Sequence, residues 1–263
     1  MAGWTAFPGA KMLGTLVLEG FGDFSPHVNL ADEASAEGAL WSVFMQGGDL
    51  MCWSWSFSHS DADPSDAGLW WLEEAELTMG ERSRIGFAQV GVEQDVHVAP
   101  LLVPLCQCFY ESLRRLGEVD LRALQFNARN LLPDRRPDDR PYIPQSGWFR
   151  MSQGPRTNAF IAFDDGFLQG KSEDEFVQAV REWSGIGVFE FGPLAPALPE
   201  HAIEDHIPWP PETALSPAQV GLPVGMPEWT PSSAAYALAW VIEVARRDGL
   251  AAPNSAIRIT RLD

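Results

Sequence analysis

Lysine is almost missing from this chain of 263 residues: Lys11 and Lys171 are the only two. The 18 basic residues are therefore nearly all arginine, and set against 36 acidic ones they leave a formal net charge of -18. A charge of that sign repels phosphate backbones and anionic headgroups over a Debye length, which argues against nucleic acid and membrane surfaces as partners. A basic protein, a cation or a neutral small molecule remains compatible with it. Cysteine is equally scarce, and three of them in a chain this long make no disulfide framework and fit a reducing compartment. Long apolar runs are missing too, so no segment reads as a membrane span. The stretch MAGWTAFPGAKMLGTLVLEG, broken by Gly14 and closed by Glu19, lacks the continuous apolar region of a signal peptide, so a cytoplasmic protein is expected. The sequence also carries no GxSxG elbow, no GxGxxG, no CxxC and no HExxH, so no catalytic signature names a reaction and no cofactor is implied.

What the chain does have is 46% hydrophobic residues, enough for a substantial core, together with eleven tryptophans. The run RNLLPDRRPDDRPYIPQSG, with four prolines and mixed charge, reads as a linker over 129–147. It separates a strand-rich α+β half at 1–128 from a second α+β half at 148–263. One unit, a helix followed through a glycine by a strand, recurs in both: Leu105, Phe109, Leu113 and Leu116 recur at helical spacing before Gly117, and Ala234, Leu238 and Val241 before Gly249. Pro104 is expected to open the first of these helices. Thr230 and Pro231 supply an N-cap and first-position proline for the second.

In the second half NAFIAF reads as a strand, SEDEFVQAVREW as a helix and GVFEFG as a strand. With one more strand hidden between residues 193 and 231, they make most of a ferredoxin-like βαββαβ unit. The first half offers TLVLEG, a hairpin from ALWSVFM through Gly47 and Gly48 to DLMCWSWSFS, then LWWLEEAELTM and IGFAQVGV as strands. The expected architecture is α+β: two related halves, each a mostly antiparallel sheet with packed helices.

Candidate sites are few. The heptapeptide EHAIEDH puts two of the five histidines beside three carboxylates. His201, Glu204, Asp205 and His206 are thus the candidate metal ligands, although neither a helix nor a strand brings both histidines onto one ion. An acidic surface loop is the favoured reading of them, and no metal is assigned. The catalytic candidates are His59, His201 and Glu204, which no spacing assembles into a constellation. If residues 53–59 form a strand, Trp53, Trp55, Phe57 and His59 share a face. That face, with Trp209 and Trp229 of the stretch 193–231, where ten prolines lie, makes the candidate binding set, since tryptophan anchors interfaces well. Cys106 and Cys108, two apart on a helix, point about 200° from each other and form no pair. DDGFLQGKSEDE departs from a phosphate loop, because Asp165 stands where the first glycine belongs. SHSDADPSDAGLWWLEE matches a calcium loop only in part.

Two functions fit these features. The favoured one is a non-catalytic acidic binding protein that captures or neutralises a protein partner, in an immunity-like or adaptor role, with a homodimer also open. The alternative is a small-molecule-binding protein or enzyme with an aromatic-lined pocket, in which His59 or His201 titrates near neutral pH.

Overall fold

The computed structural model describes residues 13–27, 38–58, 71–78, 83–93, 98–130, 156–168, 173–183, 188–201, 203, 220–247 and 254–262. Among them, nine strands form one antiparallel sheet: β1 Leu13–Pro26, β2 Trp71–Leu77, β3 Arg84–Glu93, β4 Gly117–Arg129, β5 Thr157–Phe163, β6 Glu190–Phe191, β7 Ala195–Pro196, β8 Val220–Met226 and β9 Ser255–Leu262. Their order is β2-β3-β1-β4-β9-β5-β8-β6, with β7 beside β8. Four helices accompany the sheet: α1 Ala39–Ser58, α2 Val98–Leu116, α3 Glu173–Trp183 and α4 Pro231–Arg247. The protein is therefore mixed helix and strand, as expected.

Alternation along the strands sorts residues onto two faces. Leu16 and Leu18 of β1, Leu124 and Phe126 of β4, Ile161 and Phe163 of β5 and Ile257 and Ile259 of β9 all join one core cluster with Leu105 and Phe109 of α2 and Leu238 and Val241 of α4. The residues between them, Val17 and Glu19, Gln125 and Asn127, Arg258 and Phe160, stand on the opposite face and are buried as well. The sheet centre is thus covered on both sides. The helices pack as neighbours, α1 on α2, α2 on α4 and α4 on α3. Gly117 joins α2 directly to β4, and only glycine fits there: a Cβ would lie 2.5 Å from the Ser25 carbonyl oxygen and 2.6 Å from the Phe24 ring.

Several expectations change. The segment read as a hairpin is the single helix α1. Leu40 and Phe44, four apart and fully buried, carry the helical period that the short WSWSF alternation obscured, and tertiary burial decided between them. Trp53, Trp55 and Phe57 therefore lie on a helix, where position 55 is turned about 200° from both 53 and 57, so the three do not share one face. Pro104 does not open α2 but sits inside it, because the helix starts at Val98 and buries Leu101 and Leu102 before the proline. Thr230 does cap α4, its Oγ1 accepting the Ser233 N–H at 3.1 Å. The strand sought between 193 and 231 is β8, preceded by the two-residue β7. The proposed linker lies outside the described residues beyond Asn130.

Candidate functional site

The outer surface of the helical layer carries a groove of about 630 Å³ between α1 and α2. Val43, Gly47 and Leu50 line it from α1, and Cys108, Ser112 and Arg115 from α2, with Gln46, Gln107 and Glu111 along its rim. Gly47 brings the helices together: a Cβ there would stand 2.9 Å from Cys108 Sγ. Cys108 in turn directs its thiol toward the Phe44 carbonyl oxygen at 3.7 Å, and the Ser112 hydroxyl donates to the Cys108 carbonyl at 2.7 Å. The polar atoms of the floor are thus occupied within the helices. Leu50 stands 62% exposed above it, and Trp41, elsewhere on α1, is 44% exposed. Glu111 meets Arg114 at 3.5 Å, whereas Arg115 makes no ion pair among the described residues.

On the far face of the sheet lies a second polar cluster. Glu19 of β1, fully buried, receives Arg84 Nη1 on Oε1 at 3.1 Å, and Gln125 Nε2 and Asn127 Nδ2 on Oε2 at 2.9 and 2.8 Å. The Arg258 guanidinium carbon sits 4.1 Å from the centroid of the Phe21 ring. A carboxyl group that receives three donors and is closed off from water fixes neighbouring strands against one another; fully buried, it presents no accessible atom to a substrate.

His201 ends a short 3-10 turn, Pro199–His201, and is only 4% exposed. Its ring stacks on Phe160 at 4.6 Å and 20°. Phe160 is on β5, three strands from Glu19 on β1 through β9 and β4. At about 4.8 Å per strand that is roughly 14 Å, too far for an acid/base pair. Trp229 is half-buried, and its indole N–H donates to the Leu121 carbonyl at 2.7 Å, tying the approach to α4 onto β4. Asp164, beside the phosphate-loop look-alike, accepts the Ala256 N–H on Oδ2 at 3.3 Å and so anchors β9. His59, Glu204, Asp205, His206, Trp209 and the calcium-like stretch lie outside the described residues, as do the side chains of Trp53, Trp55 and Phe57. Among the described residues no three His, Cys, Asp or Glu side chains gather as a metal site.

Cys106 and Cys108 diverge as helical geometry requires, Cys106 toward the Pro231 carbonyl oxygen at 3.5 Å and Cys108 toward α1. Burial pushes the Cys106 thiol well above its ordinary value, the reverse of what a nucleophile needs. Burial likewise raises Tyr236 to about 12, where it stacks between Phe189 and Trp240.

Sequence reasoning missed the groove because α1 was read as two strands. The far-face cluster had a visible signal: Gln125 and Asn127 alternate with Leu124 and Phe126, which marks a polar face on β4.

No protein-family model matches the chain, and no curated protein matches it. Among solved structures a Cas6 product complex is similar at 14% identity, over 96% of this chain and 100% of that one, with a TM-score of 0.20. A likeness at that level bears on neither the site nor the activity of this chain. Among the described residues no helix is long and apolar enough to cross a membrane.

Proposed function

We propose that this chain is a non-catalytic acidic protein that captures a protein partner through the groove between α1 and α2. The observation that carries the reading is an open, largely apolar groove whose wall residue Leu50 is 62% exposed, on a chain of net charge -18. Exposed apolar side chains beside a concave floor are the material of interface anchors, and the wider charge steers a partner that is basic overall. Glu73, Glu74 and Glu76, exposed on the edge strand β2, add to that field. They also guard the edge against pairing with stray strands.

In this reading the fold is two related halves. With the two-residue β7 set aside, their successions, β1-α1-β2-β3-α2-β4 and β5-α3-β6-β8-α4-β9, match, and so do their strand orders, β2-β3-β1-β4 and β6-β8-β5-β9. The fourth strands β4 and β9 pair antiparallel, and the helices before them, α2 and α4, pack together. A cytoplasmic setting accompanies this reading.

Small-molecule binding is the second reading, favoured by a groove volume inside the usual 300–1,000 Å³ ligand range. Native mass spectrometry on the protein isolated gently from its host separates the two. A stoichiometric protein complex that disappears with Leu50→Glu is expected. A retained small-molecule mass, with no protein partner, would replace the first reading by the second.

A further inference from the structure

We propose that the occupant of the α1–α2 groove is a single amphipathic helix of the partner, laying apolar residues over Val43 and Leu50 and presenting one carboxylate to Arg115. The inference rests on the reading of this groove as a protein-binding site. Its shape comes from two matched stripes. Val43, Gly47 and Leu50 follow an i, i+4, i+7 pattern on α1, and Cys108, Ser112 and Arg115 repeat that pattern on α2. Each stripe runs about 10 Å along its helix axis at 1.5 Å per residue, the length of two turns. A third helix is the element that meets two such stripes at once, with its own apolar residues at the same spacing. The floor meets that helix as a filled surface, since Cys108 Sγ occupies the space beside Gly47 and the Ser112 hydroxyl is already bonded to the Cys108 carbonyl.

Charge selects the polar residue of that helix. Glu111 is held by Arg114 at 3.5 Å, and among the described residues Arg115 is the charged side chain of the groove that makes no ion pair; it is positive in a chain of net charge -18. An Asp or Glu on the incoming helix supplies the bidentate partner a guanidinium favours. Long-range steering and this contact act at different distances: a partner basic overall is drawn in, and one acid beside its apolar face fixes the register.

The test uses a displayed library of small helical-bundle domains with one randomised helix face, selected on the whole protein and counter-selected on Leu50→Glu. The expected binders carry apolar residues at i, i+4 and i+7 with a neighbouring Asp or Glu, and lose about tenfold in affinity on Arg115→Glu, a loss restored when their acid is changed to Lys. Both substitutions fall at exposed positions, and unchanged unfolding midpoints verify that the fold is intact. Binders without an acid, or indifferent to Arg115→Glu, overturn the inference. So does a groove closed by a second copy, seen as a sedimenting dimer that Leu50→Glu dissociates. The two readings fail separately. If the host complex depends on Leu50 but not on Arg115, the carboxylate helix is wrong and partner capture stands; if no host partner exists while the library shows the pattern, capture is wrong.

Discussion

A carboxyl group at the centre of a sheet is stable only while its partners stay in place. Glu19 is fully buried, and its contacts come from β3 through Arg84 and from β4 through Gln125 and Asn127, so one side chain on β1 ties three adjacent strands. Removing Glu19 takes from Arg84 and Asn127 the acceptor they hold inside the protein, and that penalty outweighs the worth of the intact cluster. Glu19→Ala is therefore expected to destabilise the fold by about 3–5 kcal/mol, the range for breaking a buried pair. Replacing Arg84 by Met as well should recover part of that loss, because the stranded guanidinium goes with it. Urea unfolding of the two single variants and the double variant measures the coupling. Equal losses added without recovery would show that Glu19 and Arg84 act independently.

Helix α1 shows where local pattern and tertiary packing part ways. Two adjacent glycines read naturally as a turn, and the tryptophan-serine alternation after them reads as a strand. Gly47 instead serves the helix pair, since its missing side chain lets Cys108 Sγ reach a point 2.9 Å from where a Cβ would stand. In an exposed helix Gly→Ala gains about 1 kcal/mol of propensity, but here the sulfur opposes it. Gly47→Ala alone is expected to destabilise the protein. In a Cys108→Ala background the same change should stabilise it, a reversal of sign that thermal unfolding of the four variants would detect. Stabilisation by Gly47→Ala in the parent would mean that α1 and α2 do not approach closely.

The legible elements were those whose period and caps agree. Thr230 before Pro231 marked α4, and Gly117 marked the end of α2, because capping chemistry is local. The groove was illegible because it depends on which residues of two helices come together across more than sixty positions, and no local signal carries that. His201 was singled out for its neighbours in sequence, while its place is set by a ring from β5, Phe160.

Across the whole molecule the central question is whether the first stretch of chain, 13–130, and the second, 156–262, here called its halves, unfold as one. The sheet runs without interruption through the β4–β9 pairing, where Leu124 faces Ile259 and Phe126 faces Ile257. The same hydrophobic cluster holds Leu16 and Phe44 from the first half and Phe163 and Trp240 from the second. Between the helices, Ser232 of α4 donates its hydroxyl to Gln107 of α2 at 3.0 Å. A boundary of this kind differs from a domain interface, which is smaller, more polar and crossed by few main-chain hydrogen bonds. Opening it exposes the edges of β4 and β9 and strips apolar cover from α4, which is buried along nearly its whole length. The free-energy cost of separating the halves is then comparable to that of unfolding either one, the condition for a two-state transition. Fluorescence of a chain retaining tryptophan only at position 41 and of one retaining it only at position 240 should therefore report coincident urea midpoints. Separated midpoints would show that each half holds its fold alone and that the β4–β9 junction is a docking surface between two domains.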